Sequence, residues 1–405
     1  MNQQYTILTF AIIILTVVLF LSCDKKTVTE PENGEDPEPF IPKELTFSEP
    51  FSIPVETSYP ALLAVTDVDL NGLPDLLVAN VSGSLYLTVI SNPGGEVPVQ
   101  QNIRLPAVSD ITAGDFTANG YPDVIVPTGI SDGSWYILSN DGTGSFSIAR
   151  EEQLDTNRAS IISSAAGHFN QNGNLDISFL TSSRYPMGLH MYNNLGDLEF
   201  KHELFKEIGF AFEHTAYDIT GNGFDDIVVY SDWFSSLYLI VNNGDGTFQD
   251  GRLIDLEGDV MAVEMADITG DGETEIVGIS RRGTSGFVLE VIYPFASTEK
   301  IKDIYNIPFR GESRRLAICD LDGSGSNDIA ILSTGMSYDF DSIIIYQNDG
   351  KGNLKNQNDI WNTDPERRFF YHIACADFDN DGRNDLALTI SVNDEVIIYF
   401  NETDM

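Results

Sequence analysis

Short apolar runs recur along the chain at a near-constant interval: LLVAN, VIVPT, ISFLT, IVVYS, IVGIS, IAILS and LALTI. Each has the length of a buried strand rather than of a helix. Each follows a polar loop, and before the loop stands another stretch of small or apolar residues, such as ALLAVT ahead of Asp67 and HIACA ahead of Asp377. A third run comes next, as in LYLTVI, WYILS, LYLIV, IIIYQ and VIIYF. A glycine-rich turn usually ends it: NDGTGSF from Asn140, NNGDGTF from Asn242, NDGKGNL from Asn348. Turns of this kind lead a hairpin into a fourth strand. No long stretch carries a helical period. The pattern predicts an all-β chain of four-stranded antiparallel units, with strands A to D in each.

The polar loop between A and B is the most regular part of the unit. Its copies start at Asp67 (DVDLNGLPD), Asp115 (DFTANGYPD), His168 (HFNQNGNLD), Asp218 (DITGNGFDD), Asp267 (DITGDGETE), Asp320 (DLDGSGSND) and Asp377 (DFDNDGRND), at intervals of 48, 53, 50, 49, 53 and 57 residues. The sixth position is glycine in all seven copies, as expected where the backbone turns left-handed. A four-stranded unit of this length, repeated seven times, predicts a seven-bladed β-propeller.

The first, third, fifth and ninth loop positions carry oxygen ligands suited to a hard cation. The predicted calcium ligands are Asp67, Asp69, Asn71 and Asp75; Asp115, Thr117, Asn119 and Asp123; Asp218, Thr220, Asn222 and Asp226; Asp267, Thr269, Asp271 and Glu275; Asp320, Asp322, Ser324 and Asp328; and Asp377, Asp379, Asp381 and Asp385. The seventh loop has four carboxylates and is expected to bind best. The third has only Asp176 beside His168, Asn170 and Asn172, and is expected to stay metal-free, held by its own side-chain hydrogen bonds. The alternative for every loop is an Asx-rich turn that needs no metal.

After Asp385 only 20 residues remain, against 40 to 49 between the loops, so the last blade lacks its fourth strand. The segment ELTFSEPFSIP, from Glu44 to Pro54, is strand-like and has no blade of its own. It is expected to complete the last blade and close the ring.

These repeats resemble the FG-GAP or VCBS family, seen in the integrin alpha-chain propeller and in many bacterial surface proteins, over residues 44–405. The resemblance implies a calcium-stabilised propeller used for adhesion, carbohydrate binding or, in some relatives, polysaccharide cleavage.

The chain has 62 acidic and 22 basic residues among 405, a net charge of −40. That excludes a general nucleic-acid binder, which shows a basic face, and the cation loops account for part of it. Residues 7–21 form an apolar run of 15, short for a membrane span and suited to a signal-peptide core. Its end, LFLSC, resembles a bacterial lipobox. That implies a signal peptide over 1–22, lipidation at Cys23, and a lipid-anchored protein of the cell envelope, at the outer membrane or cell surface. Residues 23–43, rich in Pro and Glu, read as a disordered tether. Cys319 stands one residue before its loop and Cys375 two before, so their side chains should leave opposite strand faces. Two small buried thiols are expected rather than a disulfide.

The A–B and C–D turns occupy one face of a propeller, and the B–C and D–A loops the other. Nine of the 13 arginines map to this second face: Arg158, Arg184, Arg281, Arg282, Arg310, Arg314, Arg315, Arg367 and Arg368. So do Trp135, Trp233 and Trp361, with Tyr185 among their aromatic neighbours. Guanidinium forks match carboxylate or sulfate, and aromatic faces stack on sugars. The residues taken as ligand-binding are these arginines with Trp135, Trp233 and Tyr185. The expected ligand is an anionic glycan or an acidic protein, bound by a monomer. Local ion pairs and interblade packing would account for the same residues without a ligand. No nucleophile elbow, zinc motif or phosphate loop is present. A polysaccharide lyase using His214, His372, Tyr185 or Tyr371, and a scaffold for a membrane complex, are the alternatives.

Overall fold

A computed structural model of the protein describes residues 40–404, apart from residues 57–58, 81–85, 96, 107, 129–132, 155–159, 183–187, 210, 232, 285, 296–301, 309–311, 335–340, 362–369 and 392. The proposed signal peptide, Cys23 and nearly all of the tether lie outside the described residues. The rest forms seven antiparallel sheets of four strands each, a seven-bladed β-propeller. Blades one to six take residues 60–104, 112–153, 160–207, 213–255, 259–307 and 312–361 in chain order. The seventh combines Phe370–Ala376, Asp385–Ile390 and Glu395–Tyr399 with Phe51–Pro54 from the N-terminal side as its outermost strand.

This last pairing closes the ring as the sequence predicts. Phe51 lies opposite Ile398 and Pro54 opposite Glu395. The pairing runs on beyond the regular strand, through the bridge between Phe47 and Asn401 and the bond from Glu402 N–H to the Thr46 carbonyl. Pro54 sits on the outer edge, where its missing N–H interrupts no ladder.

The B strands are apolar without alternation because they are buried on both faces. Leu76 to Ala79, Ile329 to Ile331 and Leu386 to Leu388 are essentially inaccessible to solvent. Each hydrophobic cluster joins the facing sides of two adjacent blades. In one, Phe116, Ile125, Trp135 and Ile137 of blade two meet Ile161, Ile177, Phe179 and Tyr192 of blade three. The D strands stand at the rim and are mostly exposed, as in FSIAREEQ of blade two.

A buried asparagine ties each of five blades to the one before. Asn140, Asn194, Asn242, Asn348 and Asn401 each stand at or just past the end of a C strand and are at most 1% exposed. The side-chain Nδ2 donates to the carbonyl at the second loop position of the preceding blade: Val68, Phe116, Phe169, Ile268 and Leu321, at 2.6–3.2 Å. It also donates to the carbonyl at the eighth position of its own loop. Its Oδ1 accepts the N–H two residues on. Its backbone N–H donates to the ninth-position carboxylate. Blade one has Asn92 at this place and keeps the backbone bond, to Asp75. There Gly94 lies so close to the Phe378 carbonyl of blade seven that a Cβ would sit 2.2 Å from the oxygen.

Cys319 and Cys375 are joined by a disulfide across blades six and seven, with Cα atoms 6.5 Å apart. This corrects the expectation of two free thiols. Opposite faces keep two residues apart within one sheet. In a ring of blades, however, the leading face of one sheet looks at the trailing face of the next. Side chains leaving opposite faces of neighbouring blades therefore point toward each other.

Replacing Asn194 by alanine should destabilise the protein by about 1–3 kcal/mol, because two buried carbonyls lose their donor. The exposed Asn243→Ala variant should stay within about 0.5 kcal/mol of the parent. Denaturant unfolding of the two variants measures the difference.

Candidate functional site

Two groups of side chains carry potential chemistry, one on each face. On the first face, each A–B loop wraps around its own carboxylates. In five loops the first-position aspartate accepts the backbone N–H groups of positions five and six: Asn71 and Gly72 donate to Asp67 at 3.1 and 2.8 Å, and Asp381 and Gly382 to Asp377 at 3.0 and 2.9 Å. The glycine at position six has φ between 81° and 89° in all seven loops, the left-handed region that glycine enters without strain. The ninth-position carboxylate is buried and accepts the second-position N–H, as Val68 does to Asp75 and Phe378 to Asp385, both at 2.9 Å.

This arrangement is costly for charge. Burial pushes the Asp328 and Asp385 carboxyls up to about 7 and Asp176 up to about 6. Asp75, Asp226 and Glu275 are raised for the same reason. Neighbouring carboxylates of the same loop add to the effect at Asp75, Asp328 and Asp385. Three loops bring three carboxylates together with oxygens within 4.8 Å of one another: Asp67, Asp69 and Asp75; Asp320, Asp322 and Asp328; Asp377, Asp379 and Asp385. Several of these groups could hold a metal ion. In the second loop Thr117 Oγ1, at the third loop position, is buried with no hydrogen-bond partner. All of these donors are hard oxygens, the set that suits calcium rather than a thiophilic metal. Asp381 differs from the expectation, since Arg383 is ion-paired to its carboxylate. In the third loop Asn170 Nδ2 donates to Asp176 at 2.6 Å, a neutral amide where other loops bring a carboxylate or hydroxyl.

On the second face, the inner A strands meet around the central axis. Arg315 of blade six reaches Glu213 of blade four, Nη1 to Oε2 at 3.4 Å. Glu213 holds the guanidinium even more firmly protonated, and burial lifts the nearby Tyr230 hydroxyl well above its ordinary value. Glu264 of blade five is open to water in the channel but surrounded by protein, and its carboxyl rises to about 7, first through burial and then through Glu213. Asp110, ahead of the blade-two A strand, is also raised to about 7 by burial, although it accepts the Ser164 and Ile111 N–H groups at 2.7 and 2.8 Å. Burial, then Arg315, lowers His372 to about 3. His214 is lowered to about 3 by burial, with both ring nitrogens engaged, by Ser163 Oγ at 2.9 Å and Ser178 Oγ at 2.8 Å. These histidines are enclosed and neutral.

Among the predicted arginines, Arg281 faces Asp259 and Arg282 faces Glu257, at 3.3 and 2.7 Å, while Arg315 reaches Glu213 as described above. Arg314 lies in the blade-six A strand, Glu312–Cys319. Arg158, Arg184, Tyr185, Arg310, Arg367 and Arg368 lie outside the described residues. Trp135 is corrected from a ligand residue to a core residue. It is fully buried, its ring 5.1 to 5.7 Å from Phe179, Tyr192 and Phe200. Trp233 is 64% exposed and lies 5.8 Å from Phe212, itself 44% exposed, with Phe234 also open beside it. Phe212 comes from a D–A connection and Trp233 from a B–C connection, so the pair stands on the second face. The sequence pointed to the loops but not to the channel acids, because Glu213 and Glu264 are separate acidic residues on different blades.

A model of the FG-GAP-like repeat matches residues 67–126, 115–179, 218–278 and 320–388, and the chain belongs to that family. No curated protein matches it. Among solved structures, BBS1N in complex with ARL6DN aligns at a TM-score of 0.59 and 12% identity over 89% of this chain and 98% of that one. A lectin of Agrocybe aegerita aligns at a TM-score of 0.50 and 18% identity over 76% of this chain and 80% of the other. Identities this low show a shared fold and nothing more.

Asp110 and Glu264 bind protons in the folded protein that the unfolded chain releases around pH 4. Their contribution to stability is present below that pH and is lost as pH rises through about 7. Asp110→Asn keeps an acceptor for Ser164 and should show a smaller fall in Tm than the parent between pH 4 and 7.

Proposed function

We propose that the protein is a lipid-anchored cell-envelope binding module, stiffened by calcium, that takes a glycan on the face opposite its acidic loops. A binding or adhesion role is what an FG-GAP propeller is consistent with. The observation that carries the glycan reading is the exposed Phe212–Trp233 pair, with Phe234 close in sequence and Glu213 next to Phe212 in the chain. Exposed aromatic rings stack on sugar faces, and carboxylates accept hydroxyl hydrogens. The two solved structures are described as binders, BBS1N in complex with ARL6DN and the lectin in its recognition of non-reducing terminal N-acetylglucosamine. Arg281, Arg282 and Arg315 each meet a carboxylate, so an anionic charge on the ligand would rest on the other arginines of this face. The disulfide between Cys319 and Cys375 supports an oxidising compartment and hence export.

Calcium is the proposed resident cation. The seventh loop would hold it through Asp377, Asp379 and Asp385, and the first and sixth through their equivalents. Its role there is to neutralise buried carboxylates, with no part in bond chemistry. His214, with both ring nitrogens occupied, gives the lyase alternative no support.

Calcium at about 10⁻⁴–10⁻³ M, the range of extracellular modules, should raise Tm, and a chelator should reverse the rise. An unchanged Tm would remove calcium from the proposal. On the second face, Trp233→Ala should weaken binding to a glycan array hit at least tenfold with no change in Tm. An array of neutral, uronate-containing and sulfated glycans also reads the ligand's charge directly.

A further inference from the structure

The fifth blade breaks the asparagine pattern. The residue that follows the partner of the ninth loop position is an asparagine in the other six blades, but here it is Pro294. Proline removes both donors at once, the side-chain amide and the backbone N–H. The two carbonyls that an asparagine would engage belong to Ile219 of blade four and Thr274 of blade five. Both residues line a cavity of about 690 Å³ that opens between these blades on the acidic-loop face. This volume falls within the range of small-molecule sites.

The cavity wall is built rather than left over. Phe295 is 44% exposed, and the Arg252 guanidinium lies 5.2 Å from its ring centre while also donating to the Pro294 carbonyl. Tyr293 is fixed by its hydroxyl, which donates to Asp303 at 2.6 Å. Across from these apolar walls the rim carries Glu273 and Lys351, both exposed.

We propose that this cavity is a second binding site and that its ligand is a neutral saccharide. Hydroxyl or amide hydrogens of the sugar take the two carbonyls whose counterparts five other blades cover with asparagine. The apolar face of the ring lies on Phe295, and Glu273 accepts from a remaining hydroxyl. A ligand with an apolar face and donors around its edge matches a ring surface beside backbone acceptors that no asparagine covers. An anionic ligand does not, because Asp271 and Glu273 stand at the mouth. The site is independent of the aromatic pair on the opposite face.

The test uses the purified full-length protein and two probes, N,N′-diacetylchitobiose and cellobiose, followed by saturation-transfer NMR and calorimetry. At least one should bind. Phe295→Ala, a surface truncation, should weaken it at least tenfold. Pro294→Asn restores the donor set of the other blades and should abolish binding while raising Tm. Trp233→Ala should leave this binding unchanged. The proposal is overturned if neither sugar binds the parent, or if binding persists in Phe295→Ala or in Pro294→Asn. Binding lost only in Trp233→Ala would place the sugar on the opposite face, overturning this site and leaving the other reading intact.

Discussion

No blade of this protein covers its own apolar surface. The B strands are apolar on both faces, and each face is buried only when a neighbouring blade packs against it. Seven sheets therefore depend on one another in a cycle, and the cycle has to close. An open ring would expose two apolar faces at once, one on the first blade and one on the last. The strand Phe51–Pro54 on the outer edge of blade seven meets this need by pairing the start of the propeller with its end. The disulfide between Cys319 and Cys375 acts at the adjoining seam. The strand sits where the chain has no covalent continuity to keep neighbours together, and the disulfide ties two blades that follow each other in the chain, next to that closure.

The asparagine clasp is the polar counterpart of this packing. Hydrophobic burial between blades is strong but indifferent to small sliding motions. A carboxamide that donates to carbonyls of two blades and accepts from its own turn sets their offset. The same residue hands its backbone N–H to the buried ninth-position carboxylate, so it couples the seam to the loop. That coupling explains why one substitution, Pro294, alters both the interblade contact and the surroundings of Glu275, and why a cavity opens there.

The two faces follow from this construction. On one, chain reversals between inner strands collect carboxylates whose burial calls for a counter-charge. On the other, the ends of the A strands bring single residues from different blades to one axis. Arg315, Glu213 and Glu264 meet there although about fifty residues separate each from the next. Their mutual influence is electrostatic and comes from enclosure by the ring.

Sequence determined the period, the strand order within a unit, the number of blades and the need for a borrowed strand, because these depend on local apolar runs and on counting. It also located the acidic loops, whose ligands are neighbours in the chain. It read Asn140, Asn242 and Asn348 only as turn residues, since their acceptors lie on another blade. It placed Trp135 on the ligand face because the residue borders a loop, whereas its burial depends on Phe179 and Tyr192 of the next blade. It separated Cys319 from Cys375 by a rule that holds within one sheet and reverses between two. What only the tertiary structure decided is which residues face each other across a seam or the central axis. The physical reason is that such contacts are set by the rotation from one blade to the next, a quantity that leaves no mark in the order of residues along a strand.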